Sequence, residues 1–206
     1  MKSICVFGIF VADLCFFSHT IPTRGQTILG NKYLVGPGGK GSNQSIAAAR
    51  LGGDVKLITK LGVDNHAEMA ISLYKDSGMD TNTIIQDSNL TTGVAGIMID
   101  EKTGDNIINV VPGAAAHLSK QDIDKNLKII ENSSIFLTQL ETPSKTTSYG
   151  LKKAKELGNL TILNPAPAAE IKDDDFKLLD FFTPNEKEAG FYLNKNIEDN
   201  NDIEEA

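Results

Sequence analysis

The chain has no tryptophan, two cysteines and three histidines in 206 residues. The missing tryptophan decides nothing, but the other scarcities exclude whole classes of function. Cys5 and Cys15 lie in apolar runs and are expected to be reduced, buried small hydrophobes, since two cysteines in a chain this long do not make a disulfide framework. His19, His66 and His117 are far apart in sequence and neither cysteine has a metal-ligand spacing, so zinc chemistry is set aside. Positive charge is also in deficit: 20 Lys and Arg against 27 Asp and Glu give a net charge of −7. A nucleic-acid surface would show a basic stripe instead. No apolar run reaches the length of a membrane span. The N-terminal SICVFGIFVADLCFF imitates a signal peptide, yet only Lys2 precedes it and Asp13 interrupts it before any small-residue cleavage site. The expectation is a soluble, cytoplasmic protein that binds neither nucleic acid nor membrane.

What is present is an ordinary globular composition, 40% hydrophobic, arranged in periodic segments. Ile4 to Val11 is short and β-branched, with Gly8 inside it, and predicts a buried strand ending near Asp13. Ile28 to Val35 predicts a second strand. The Ala-rich stretch from Asn43 to Leu51, closed by Gly52-Gly53, predicts a helix. Val55 to Thr59 reads as a strand, and Ala67 to Asp76 as a helix stopped by Gly78. Residues 93–99 and 106–111 flank a polar stretch as a β-hairpin. From Asp122 onward the order becomes regular. A helix from Asp122 to Glu131 leads to a strand from Ile135 to Leu140, then a helix from Ser144 to Leu157 and a strand from Leu160 to Leu163. After a short helix come a strand from Leu179 to Thr183 and a helix from Asn185 to Leu193. This βαβα order with short connections means parallel strands covered by helices on both faces. The hairpin segments before residue 112 read as a small antiparallel sheet inserted beside the main one.

Polar residues follow several of these strands: Asp13 after the first, Glu141 after FLTQL, Asn164 after TIL, Asn185 and Glu188 after DFFTP. Ligands of open α/β sheets bind beyond the carboxyl ends of the strands, so these residues outline one site. The Gly-rich stretch Val35-Gly36-Pro37-Gly38-Gly39-Lys40-Gly41-Ser42 fits the letters of a dinucleotide fingerprint, but the next strand ends at Lys60 rather than at an acidic residue. A phosphate loop fails as well, because Gly41 separates Lys40 from the hydroxyl that should hold magnesium. The reading left is a close-approach loop for a small polyhydroxylated ligand, in which glycines let amides and Asn43 meet hydroxyls and Asp13 accepts from neighbouring ones.

At this point the chain resembles the ribokinase family of sugar kinases. GPGGKGSNQSIAAARLG is similar to that family's N-terminal signature GGKGxNxAxAxxxLG. PTRGQT is similar to P-x-x-G-E-T, TTGVAGIMID to the lid strand, and TPNEKEA to the N-x-x-E motif, with FLTQLE and LNPAPA between. The last two lie closest to the ribose-specific members. The resemblance runs from Ile4 to Asp202. It implies an α/β, ribokinase-like fold: a mostly parallel sheet flanked by helices, with a small antiparallel β lid inserted at about 14–36 and 92–112, in one incomplete domain over 1–206. The implied activity is transfer of the ATP γ-phosphoryl to a sugar hydroxymethyl, D-ribose to ribose 5-phosphate foremost. Asp13, Gly38, Gly39, Lys40, Asn43 and Glu141 would bind the sugar. Asn185 and Glu188 would organise phosphate, and Glu188 Mg2+. A homodimer through the lid and a monovalent cation in the complete fold belong to the same expectation.

The sequence departs from the family pattern in four places. Val11 stands where the family's first strand has Asn, and Gly113-Ala114-Ala115 stands for G-A-N. Gln26 replaces Glu. The second signature, D-T-x-G-A-G-D, does not occur in the 206 residues, so the general base and anion hole would lie beyond Ala206. Asp202 to Ala206 reads as a helix N-cap and first turn. The expectation is therefore a C-terminally truncated kinase, inactive alone, with an apolar sheet edge exposed. The alternatives are a sugar- or partner-binding pseudokinase, or a fructose or nucleoside kinase of the same family.

Overall fold

In the computed structural model, which describes residues 3–197, the first apolar run is split. Strand β1 (Ser3–Phe7) stops at Gly8, and β2 (Val11–Ser18) starts after Gly8-Ile9-Phe10. The expected single strand from Ile4 to Val11 is thereby corrected, and Asp13 belongs to β2, in a second sheet. The physical reason is a close crossing: a Cβ on Gly8 would lie 2.7 Å from the Cα of Gly41, so the chain turns where only glycine fits.

β1 is the centre of a six-stranded sheet of order β10-β9-β8-β1-β4-β5. Its partners are β4 (Asp54–Leu61), β5 (Ile84–Gln86), β8 (Ile135–Gln139), β9 (Leu160–Asn164) and β10 (Phe181–Phe182), all in parallel pairs. Alternate β1 residues feed two cores. Cys5 and Phe7 pack with Ile58, Phe136, Ile123 and Leu151 on one face. Val6 packs with Leu57, Ile46, Ala70 and Tyr74 on the other. Burial on both faces is what a helix-covered parallel sheet requires. One covering layer comprises α1 (Lys40–Arg50) and α2 (Asn65–Asp76). The other comprises α3 (Lys120–Lys125), α4 (Leu127–Glu131) and α5 (Ser144–Glu156). Two short helices, α6 (Asp173–Phe176) and α7 (Glu186–Leu193), flank β10 in sequence.

The second sheet has four strands in the order β3-β2-β6-β7, with β3 (Lys32–Gly38), β6 (Thr92–Asp100) and β7 (Asn106–Gly113). It is mixed rather than purely antiparallel. β2–β3 and β6–β7 are antiparallel hairpins, but β2 and β6 run parallel, because both leave the same end of the main sheet. β3 begins four residues later than Ile28 and carries Pro37, which an edge strand tolerates.

Other boundaries shift for local reasons. α1 starts at Lys40, and α2 at Asn65, where Asp64 Oδ1 accepts from Ala67 N–H at 2.9 Å. The single helix expected from Asp122 to Glu131 is two, broken at Asn126, whose side chain donates to the Asp122 carbonyl at 2.8 Å. Strand β5 and a 3-10 turn at Ala114–His117 had no sequence signal. The helix start expected from Asp202 to Ala206 lies outside the described residues.

Candidate functional site

The start of α1 lies across the carboxyl end of β1, at the centre of the main sheet. Its N-cap, Gly39, has φ 88°, and a Cβ there would lie 2.9 Å from the Phe10 Cα. A Cβ on Gly38 would overlap the Asp13 carboxylate, and one on Gly41 would lie 2.6 Å from the Gly8 Cα. Glycines 38, 39 and 41 thus make room for the chain's own groups, while Gly36 has open space around it. The result is a helix N-terminus pressed against β1, with Asp13 above it. Ser42 N–H donates to the Ile9 carbonyl at 3.1 Å and closes the crossing.

Glu141 follows β8 and reaches the same place. Its Oε2 accepts from Lys40 N–H at 2.8 Å, one of the donors that a helix start leaves free. Burial pushes the Glu141 carboxyl up; the Lys40 amide and ammonium pull it down, and the Asp13 charge pushes it up again. Burial also raises the Asp13 carboxyl. Asp13, Lys40 and Glu141 are therefore near enough to feel one another, and two partly dehydrated carboxylates face one helix N-terminus. This arrangement can accept hydrogen bonds from hydroxyl groups.

Asn43 is exposed, one turn into α1, and lines a groove of about 250 Å³ with Pro37, Ile46, Ala47, Arg50 and Leu73. That lining includes neither carboxylate. Val11 is a core residue, 3% exposed. Gln26 accepts from Thr23 N–H at 3.0 Å within its own turn, and Ala114 and Ala115 are fully buried.

Asn185 and Glu188 form the capping box of α7. Asn185 Oδ1 accepts from Glu188 N–H at 2.8 Å, Glu188 Oε2 accepts from Asn185 N–H at 2.9 Å, and Asn185 Nδ2 lies 3.2 Å from Glu188 Oε1. Beside this box, Phe176, Phe182, Pro184, Ala189, Tyr192 and Leu193 contribute to an apolar cavity of about 760 Å³.

Between the carboxylates and the capping box run three amides. Gln139 Nε2 donates to Gln44 Oε1 at 2.6 Å, Gln44 Nε2 to Asn164 Oδ1 at 3.2 Å, and Asn164 Nδ2 to the Thr183 carbonyl at 3.0 Å. Asn164 stands out in the sequence by its place after a strand; Gln44 and Gln139 carry no such signal. Both lie inside the segments GPGGKGSNQSIAAARLG and FLTQLE, and only the pairing of distant elements brings them together.

Residues 1–206 match the pfkB family carbohydrate kinase. The chain is 40% identical over 200 residues to the bifunctional ribokinase/ribose-5-phosphate isomerase A of Fructilactobacillus sanfranciscensis, covering 97% of this chain and 37% of that protein. It is 36% identical over 188 residues to the ribokinase of Haemophilus influenzae, covering 91% of this chain and 61% of that one. Among solved structures, the Arabidopsis thaliana ribokinase complexed with ribose and ATP superposes with a TM-score of 0.88 at 27% identity, over 99% of this chain and 66% of the other. The chain thus spans 37% and 61% of the length of these two curated relatives. Since the family match runs over all 206 residues and the main sheet, lid and glycine-led helix agree with it, the chain belongs to the pfkB family of carbohydrate kinases.

Proposed function

We propose that this chain binds the sugar of a ribokinase-type reaction, in which ATP supplies a γ-phosphoryl group to a sugar hydroxymethyl, ribose being the leading substrate. The observation that carries this reading is the meeting of Asp13 and Glu141 at the α1 N-terminus, with Lys40 N–H already donating to Glu141 at 2.8 Å. Asp13 accepts from hydroxyls that the second sheet covers, Glu141 and the α1 amides orient the sugar, and Gly38 and Gly39 let the Asp13 carboxylate and the Ile9–Phe10 backbone pack against the helix start. A covering sheet suits the chemistry, because excluding water suppresses hydrolysis of the phosphoryl donor. The ribokinase names of the relatives and the ribose and ATP of the Arabidopsis complex support the choice of substrate.

A direct Mg2+ site is a poorer fit. Magnesium in kinases is held by one or two carboxylates plus phosphates and water. Both Glu188 oxygens face Asn185 donors, so neither is turned towards an ion. Asn185 and Glu188 then serve as an N-cap on the phosphate side.

The D-T-x-G-A-G-D segment does not occur in these 206 residues. A general base contributes about 10²–10⁴-fold and each anion-hole donor about 10²–10³-fold. The proposal is therefore sugar binding without appreciable turnover by this stretch alone. Calorimetric titration with ribose, fructose and adenosine, each with and without ATP, tests it. Ribose binding that Asp13→Asn weakens about tenfold or more is expected from the loss of a half-buried charged acceptor. Tighter binding of fructose or adenosine would reassign the substrate, and binding of none of the three would end the sugar reading.

A further inference from the structure

We infer that Gln44, Gln139 and Asn164 are positioning residues, a one-way amide relay that fixes the proposed sugar side of the site against the α7 capping box. The inference rests on the proposed function only for what is being positioned. The relay itself stands on geometry.

Its direction is set at one end. The Thr183 carbonyl can only accept, so Asn164 must turn its Nδ2 towards it and its Oδ1 towards Gln44. Gln44 must then present Nε2 to Asn164 and Oε1 to Gln139, which donates at 2.6 Å. Flipping any one amide would set oxygen against oxygen or nitrogen against nitrogen. The chain ends at Gln139 Oε1, which is buried without a hydrogen-bond donor; a Cβ on Gly41 would lie 2.9 Å from it. Leaving such an acceptor unpaired is costly. The fold nonetheless keeps the polarity, because reversing all three amides would set Asn164 Oδ1 against the Thr183 carbonyl.

Each member belongs to a different element. Gln139 ends β8 two residues before Glu141, and in register it stands beside Asn164 at the end of β9. Gln44 lies one turn along α1 from Lys40, whose amide holds Glu141. Thr183 comes just before Pro184 and the Asn185 cap. A shift of α1 on sugar binding would thus reach α7 through defined hydrogen bonds rather than through general packing.

The test uses the 206-residue chain with Gln44→Met, which keeps side-chain size and removes both the amide oxygen and the amide nitrogen. Backbone hydrogen exchange at Asn185 and Glu188, whose N–H groups close the capping box, should quicken about five- to tenfold, matching one lost hydrogen bond. Lys75→Ala on α2 should leave both amides unchanged. Exchange within twofold of wild type in Gln44→Met overturns the relay. If that variant fails to fold, Gln44→Glu replaces it. Its carboxylate still accepts from Gln139 but opposes Asn164 Oδ1, so exchange, corrected for its intrinsic pH dependence, should be fast at neutral pH and slow again once the carboxyl is protonated. A pH-independent result overturns the proposal. Ribose addition separates the two readings. Without ribose binding in wild type, the sugar reading falls and the exchange data alone decide the relay. With ribose binding, the Asn185 and Glu188 amide shifts should respond in wild type and not in Gln44→Met.

Discussion

Asp13 and Glu141 show what a proposed ligand site costs at the scale of one residue. Burial raises both carboxyls, so the folded chain disfavours their charged forms. The sign follows from linkage. Below the ordinary carboxylate range both states are protonated and neither group matters. As pH rises through the raised folded values, stability is lost, and the loss is complete above them. Asp13→Asn is therefore expected to melt higher than wild type at neutral pH, with the difference vanishing near about pH 4. Thermal melts across that range check this, and a melting point unchanged at neutral pH would remove the desolvation argument. Asp13 and Glu141 were legible in the sequence as polar residues after apolar strands. Gly8 was legible only as a residue inside a strand, because its role is to let Gly41 approach, and Gly41 is distant in sequence.

At the scale of elements, β4 and α3 are joined by one ion pair. Lys60 Nζ donates to Asp122 Oδ2 at 2.9 Å, with side chains 11% and 7% exposed, and also to the His117 carbonyl at 2.8 Å. Burial pushes the Asp122 carboxyl up, but hydrogen bonds from Lys60 and Ser119 outweigh it and leave the group below its ordinary value. Its contribution is whole above the ordinary carboxylate range and lost as pH falls through the lower folded value. Lys60→Met leaves a nearly buried carboxylate without its cation and should destabilise by about 3 kcal/mol. It should also flatten the acid limb of the stability profile. Denaturant melts at neutral and acid pH measure both effects, and equal losses at the two pH values would refute the assignment. The regular helix–strand order after Asp122 was readable because apolar periodicity and glycine stops are local. The break at Asn126 was not, since the pattern on either side is that of one continuous helix.

For the whole molecule, the second sheet is the feature that stands apart. Its outer strands expose Tyr33, Leu34, Ile107, Ile108, Val110 and Val111, and among the described residues β3 and β7 pair with no further strand on their outer edges. Apolar surface on open edges favours pairing with another chain. The homodimer proposed through this sheet predicts concentration-dependent sedimentation, abolished by Ile108→Asp without change in circular dichroism. Wild-type protein that stays monomeric at every concentration would sink that proposal. By itself the sequence determined the family motifs, the alternation of helix and strand, and the residue types available for hydroxyl recognition, because these depend on local pattern. Only the tertiary structure decided that Asp13 leaves the main sheet, that β2 and β6 run parallel, and that Gln44, Gln139 and Asn164 form a single chain of amides. Each of those depends on contacts between residues remote in sequence, which backbone closeness and hydrogen-bond direction fix only once the elements have packed.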